Sequence, residues 1–353
     1  MIKNYVSNTV FVKQSQLSDN PQERSEFLKN YFCEITATSN KLPDGWSILL
    51  TRPSQEDYYI DPDLLQGLAW WSEEYGNVDV GSIPFAIHKG TGFQLSLLDS
   101  WTIYSWSRWL KDNPNSSAQH NEITLLHVDD HDDMMVPRII VTRDGWLNPI
   151  LEAPFNIQDP ESVEVAIKSG AIGIGSFIAP FVHHFPNLNI RHLCSTEYAT
   201  ERQGSNVVYP DWKIDDLLSP GSLRPALEVS LKYNKLKDKR GSLYQVTDDL
   251  SDWLKDIPEG PILVHIDMDY FNNRFNGDSD WIDNGPKYDP PLTAVLNRID
   301  QVFKALKPLE IASKIVDFTI ALSPGFFPSE MWPDSINRIK AHIHEMMSHK
   351  HIQ

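Results

Sequence analysis

Between His127 and Met134 the chain reads HVDDHDDM, and between His265 and Tyr270 it reads HIDMDY. Carboxylates and imidazoles ligate divalent cations, and crowding them without one is unfavourable. Like charges repel, and each charge costs free energy to take out of water. Five residues stand at a spacing suited to ligation: Asp129, His131 and Asp133 as D-x-H-x-D, and Asp267 and Asp269 as D-x-D. If extended geometry persists through each motif, alternate residues share a face, with Cα atoms roughly 6.5 Å apart at i and i+2. Four carboxylates and one imidazole exceed what one cation usually needs. The set predicts two divalent cations roughly 3.5–4 Å apart. Oxygen-rich ligation with one His and no thiolate suits manganese or another hard to intermediate divalent metal better than structural zinc. His127 and His265 each stand two residues before a motif aspartate. They read as extra ligands, as groups that orient ligating carboxylates, or as core residues.

Apolar runs must position these motifs. EITLLHVD and PILVHIDMD read as buried strands ending in the two acidic motifs. SIPFAIHKG and GFQLSLLD read as two short strands joined at a Gly-rich turn, and NIRHLCS and ASKIVDFTIALSPG as further strands. AIGIGSFIAPFV also reads as a strand. Helices are expected in DSWTIYSWSRWLKDNP, in PESVEVAIKSG with Gly170 closing it, within GSLYQVTDDLSDWLKDIPEG, in PLTAVLNRIDQVFKALKP and in SEMWPDSINRIKAHIHEMMSH. Strands alternate with helices from about residue 93 onward. That pattern predicts one α/β domain over 1–353, a three-layer α/β/α arrangement with a mostly parallel central sheet, and a less regular N-terminal elaboration over 1–80. In such sheets ligands gather at the carboxyl ends of the strands.

The net charge of −17 argues against nucleic acid and anionic membranes as partners. No apolar run approaches a membrane span, and the N-terminus lacks a signal-peptide core, so a cytoplasmic protein is expected. Cys33 and Cys194 suggest no disulfide framework.

Taken together, LLHVDDHDDMMVP, GIGSFIAPF, HIDMDYFNN and TIALSPGF resemble the ureohydrolase superfamily of arginases and deacetylases. More closely they resemble its UPF0489 branch, which includes peptide arginases of ribosomal peptide biosynthesis. The resemblance covers roughly residues 85–330. It implies an arginase-like fold, two Mn²⁺ ions and an arginine-containing precursor peptide as partner. Arginine side chains would be hydrolysed to ornithine with release of urea. Asp129 and Asp267 would bridge both metals, Asp133 would complete one site and hold the catalytic hydroxide, and His131 and Asp269 would bind the other metal.

The chain departs from the arginase pattern in three places. The strand end preceding D-x-H-x-D, LLDSW, offers Asp99, Ser100 or Trp101 where arginases carry a ligating His; His88 on the preceding hairpin is the alternative. Ala321 stands where an arginase Glu grips the guanidinium, leaving Glu34, Glu197 and Asp317 as candidate acids. No shuttle His follows the first motif, and no local pattern for an α-carboxylate is present, which suits a residue within a peptide. Competing expectations are another guanidine or amide hydrolase on the same fold, agmatinase-like or deacetylase-like, and a non-catalytic peptide-binding protein. His183 and His184 read as loop contacts, and His342, His344, His349 and His351 as exposed positions on a terminal helix.

Overall fold

A computed structural model of the chain describes residues 7–33, 35–51, 61–114, 123–185, 187–201, 204–230, 241–278 and 280–350. Three strands come first: β1 (Ser7–Lys13), β2 (Thr36–Leu42) and β3 (Gly45–Thr51), forming an antiparallel sheet in the order β1-β3-β2. Twelve more follow among the described residues. They are β4 (Ile87–Lys89), β5 (Gln94–Ser96), β6 (Thr124–Val128), β7 (Ile140–Thr142), β8 (Gly145–Asn148), β9 (Ala153–Phe155), β10 (Asn189–Leu193), β11 (Gly204–Ile214), β12 (Leu223–Ser230), β13 (Ser242–Thr247), β14 (Ile262–Asp267) and β15 (Ile315–Ala321). They form one sheet in the order β4-β5-β15-β14-β6-β10-β13-β11-β12-β7-β8-β9.

The fold is mixed α/β. The run β5-β15-β14-β6-β10-β13 is parallel throughout, while β4 and the strands beyond β13 pair antiparallel. The expectation of a mostly parallel sheet therefore holds for the half that carries the acidic motifs and not for the other half. The chain order reverses at the centre: β6, β10 and β13 step one way, and β14 then returns to the other flank of β6. Such a reversal opens a crevice at the carboxyl ends of the strands. Both acidic motifs end strands that meet there.

β6 and β14 are buried along their whole length, so both faces need covering. Leu125 and Leu263 belong to one apolar core, Leu126 and Val264 to the other, as alternation along a strand requires. Helices Pro21–Phe32, Thr102–Asp112 and Pro160–Ser169 contribute to the first core. Helices Leu64–Tyr75, Leu292–Leu306 and Trp332–Lys350 contribute to the second. Helix Pro160–Ser169 starts with the Asp159 carboxylate accepting from the Glu161 N–H and Pro160 in its first turn; Gly170, at φ +77°, closes it. The described part of the N-terminal region holds the antiparallel sheet β1-β3-β2. Val10, Val12, Trp46 and Ile48 of its sheet join the same core as Leu125 and Ile190.

The stretch AIGIGSFIAPFV is not a strand. Ser176 hydrogen-bonds both the N–H and the carbonyl of Gly173, which folds a turn, Gly175 sits at φ +68°, and helix Ile178–His184 follows. A buried apolar run fits strand or helix equally well by pattern, and the turn chemistry decided it. No helix of the described residues is long and apolar enough to cross a membrane.

Candidate metal centre

The two motifs converge, but not by strand alternation. β6 stops at Val128 and β14 at Asp267. Each motif then turns on the carboxylate of its first aspartate. Asp129 Oδ1 accepts the His131 N–H at 2.7 Å, and Asp267 Oδ1 accepts the Asp269 N–H at 3.0 Å. These matching turns are what short acidic side chains make with the backbone two residues on. Across the strands, Asp269 Oδ1 accepts the Asp130 N–H at 3.1 Å and locks the turns together.

Two groups of ligating atoms result, each within 4.8 Å. One contains His127, Asp129, Asp133 and His265; the other contains Asp129, His131 and Asp269. Asp129 belongs to both. Asp267 lies outside these groups, its Oδ2 accepting from the Ser323 hydroxyl, yet its charge acts on Asp129. Asp133 and Ser323 adopt left-handed backbone conformations, at φ +52° and +45°. Each costs roughly 1–2 kcal/mol for an L-residue, and such conformations cluster at functional sites.

Burial and mutual repulsion dominate the electrostatics. Asp129, Asp133 and Asp267 are at most 4% exposed. Burial pushes their carboxyls well above the ordinary range; Asp269, Asp267 and Asp99 add to this at Asp129, Asp129 and Asp99 at Asp133, and Asp269 and Asp99 at Asp267. The Oδ2 atoms of Asp129 and Asp133 are buried and meet no donor from the rest of the protein, which leaves the two carboxyls to share a proton with each other. A buried carboxylate oxygen in that condition is costly unless a cation meets it. His131 is the one open member, with 40% of its side chain exposed, and its Nδ1 lies 2.8 Å from Asp269 Oδ2. Burial works against its charged form, but Asp269, Asp133 and Asp267 outweigh this and push it up to about 10. In this state a protonated imidazole supplies part of the positive charge the cluster needs. The donor set, oxygen-rich and converging, fits divalent cations.

His127 and His265 lie beneath the carboxylates, with His192 beside them. The three occupy one register row across β10, β6 and β14. His127 Nε2 lies 3.0 Å from the His131 carbonyl oxygen, so it must be the donor, leaving Nδ1 to accept from His265 Nδ1 at 3.0 Å. Burial lowers the pKa of both rings well below the ordinary value, which keeps them neutral. His192 Nε2 donates to the Asp129 carbonyl at 3.1 Å, and its Nδ1 accepts from the Tyr244 hydroxyl at 2.8 Å. Sequence reading missed His192, whose strand carries no acidic motif.

The loop after the first motif is clamped from outside. Met135 N–H donates to Gly175 O and Arg138 N–H to Ala171 O. Arg224 holds the carbonyls of Val136 and Pro137, and Arg138 reaches Tyr31 O and Gly170 O. Tyr31 also donates to Asp215, so helix Pro21–Phe32 and the antiparallel strands brace the loop carrying Asp133.

Of the residues considered for the missing ligand, Asp99 is close enough for its charge to act on the cluster, though outside both groups of ligating atoms. It is buried, and its charge acts on Asp129, Asp133 and Asp267. His88 is not; it lies on edge strand β4, packed against Tyr75 and Phe93. Asp317 lies near the opposite end of β15, in a pocket with Lys89 and Arg108. There burial pushes it up to about 6 against the hydrogen bond from Ser105. It cannot serve as the acid for a guanidinium at the metal motifs. Glu197 is exposed on helix Thr196–Glu201, just beyond the carboxyl end of β10. Glu34 lies outside the described residues. His183 bonds the Ala226 carbonyl and meets Trp212 edge-on, and His342 bonds Asp300 and stacks on Phe303, so both are structural. No family model and no curated protein matches the chain.

Proposed function

We propose that the chain is a dinuclear-metal hydrolase acting on arginine side chains of a peptide, converting them to ornithine and releasing urea. The observation that carries this is Asp129, shared by two groups of converging ligand atoms at the carboxyl ends of adjacent parallel strands. Asp129, Asp133, Asp267, Asp269 and His131 would hold the cations. A bound pair supplies positive charge that lowers the pKa of water and stabilises negative charge developing on the substrate.

The residues around the pair supply the rest. Buried carboxylates exclude bulk water, and His131 marks the open side. Phe326 stands edge-on to the His131 ring at 5.4 Å, and Met135 is half exposed nearby on the same loop. That apolar rim suits the methylene stem of a long side chain. Asp132, half buried between His131 and Asp133 and held by the Tyr198 hydroxyl at 2.9 Å, offers a carboxylate to a guanidinium. Glu197, exposed on helix Thr196–Glu201 next to Tyr198, is a second candidate carboxylate. Manganese, two per chain, and the cytoplasm as working compartment belong to the same reading.

A substrate panel tests it. Mn-loaded protein should release urea from arginine-containing peptides in preference to free arginine or agmatine. Release of acetate from acetyl-lysine peptides, without urea, would move the protein to the amide-hydrolysing side of the same chemistry.

A further inference from the structure

Among the described residues, a single Lys or Arg reaches a carboxylate of the two acidic motifs. Lys287 Nζ lies 2.7 Å from Asp130 Oδ2. Asp130 stands between Asp129 and His131, is 6% exposed, and belongs to neither group of ligating atoms. Asn273 Nδ2 donates to the same oxygen at 2.8 Å. The Lys287 N–H donates to Arg274 O at 3.2 Å, which anchors the base of the side chain.

From Asp130 the contact passes to the ligands. Its N–H donates to Asp269 Oδ1 at 3.1 Å, and Asp269 Oδ2 lies 2.8 Å from His131 Nδ1. Holding Asp130 therefore holds Asp269, with one oxygen occupied and the other turned to His131. The same ammonium braces the wall beside the open imidazole. It donates to Asn276 Oδ1 at 3.3 Å, and the next residue, Gly277, donates its N–H to Gly325 O at 2.9 Å. Asn276 and Gly277 are left-handed, at φ +53° and +63°, and a Cβ on Gly277 would come within 2.7 Å of the Phe326 ring that meets His131. One side chain thus ties the first motif to the segment that packs on its open side.

We propose that Lys287 is a positioning residue of the metal centre: through Asp130 it sets Asp269, and with it the half of the centre that Asp269 shares with Asp129 and His131. The inference rests on the metal-centre reading given above and not on the arginine chemistry. A counter-ion alone and a positioning residue predict opposite signs. Removing a positive charge beside a cation site lifts repulsion and strengthens cation binding. Removing a group that orients metal ligands weakens it, typically by about 10–100-fold.

The test is Mn²⁺ binding to the full chain by equilibrium dialysis with elemental analysis, with melting in chelator to check that each variant folds. Lys287→Met should bind one of its two Mn²⁺ at least about tenfold more weakly and the other as before. Lys287→Arg, which keeps the charge and the donors, should recover most of that loss. Asp130→Asn, which keeps the N–H on Asp269 but removes the partner of Lys287, should show the same loss of one ion. Because the effect runs through Asp130, the Lys287→Met, Asp130→Asn double variant should be no weaker than Lys287→Met alone. Unchanged or tighter binding by Lys287→Met would overturn the assignment. So would weakening of both ions together that Lys287→Arg does not recover. An unsubstituted chain that takes up no divalent cation would overturn the metal-centre reading itself, and the inference with it.

Discussion

His127 and His265 face each other across adjacent parallel strands with their Nδ1 atoms 3.0 Å apart and rings nearly parallel, at 17°. Such a contact requires one donor and one acceptor: with the His127 Nε2 proton on the His131 carbonyl, His265 Nδ1 donates to His127 Nδ1, and burial keeps both rings neutral. The pair is a floor for the carboxylates: it fixes the turn that aims His131 at Asp269.

Replacing His127 with Leu removes the donor to that carbonyl. Groups that orient metal ligands typically account for 10–100-fold in affinity. His127→Leu should therefore weaken Mn²⁺ binding by about tenfold or more, and cost about 1–3 kcal/mol in urea denaturation for the buried groups left unpaired. Unchanged metal affinity would remove the orienting role.

Metal uptake should release protons. Asp129, Asp133 and Asp267 are pushed up by burial and by their neighbours, and His131 to about 10, so the metal-free cluster carries protons near neutrality. Cations must displace them. Mn²⁺ affinity should rise between pH 6 and pH 9, to be read by calorimetry in buffers of different ionisation enthalpy. Binding without proton release would contradict the account.

The same groups set the stability of the metal-free chain. A carboxyl whose folded pKa is raised binds protons more strongly in the folded state, so stability falls as pH rises above the ordinary carboxylate range. His131 acts in the same direction: its contribution is complete below about 6.5 and lost as pH rises through about 10. His127 and His265, lowered by burial, act oppositely, with stability lost as pH falls below about 6.5. In chelator, the melting temperature should decline from pH 7 to pH 9, and saturating Mn²⁺ should remove that decline. A metal-free melting temperature that climbs over this range would show the carboxylates to be ionised and otherwise compensated.

Arg224 bonds two loop carbonyls and faces Asp215 at 3.6 Å, with both charged groups buried. Arg224→Met leaves that carboxylate and those carbonyls short of donors. Breaking a buried ion pair from one side typically costs about 3–5 kcal/mol. The loop it braces carries Asp133, so both folding stability and Mn²⁺ affinity should drop. Loss of stability with metal affinity intact would show that the brace does not reach the site.

Much of this centre could be read from the sequence because ligand types and spacing are local. Asp129, His131, Asp133 and Asp269 follow apolar strands, and the structure gathers them. The means of gathering was not legible: side-chain turns at Asp129 and Asp267 replace strand alternation, and Asp133 sits in a left-handed conformation that no pattern announces. Asp99 was one of three residues named at its strand end, and its burial beside the Gly175 N–H comes from packing that no local pattern encodes. Asp317 looked equally plausible as an acid, but four residues along β15 from Ala321 carry it towards the other end of the sheet. His192 and the Arg224 clamp depend on pairing across the sheet, which periodicity does not encode.

The central claim is tested most directly by intact mass. Mn-loaded protein would be incubated with an arginine-containing peptide, beside an Asp129→Ala, Asp267→Ala double variant. Loss of CN₂H₂ per converted arginine, with the unsubstituted protein alone, is the predicted result. Unchanged peptide mass with two Mn²⁺ bound per chain would contradict it.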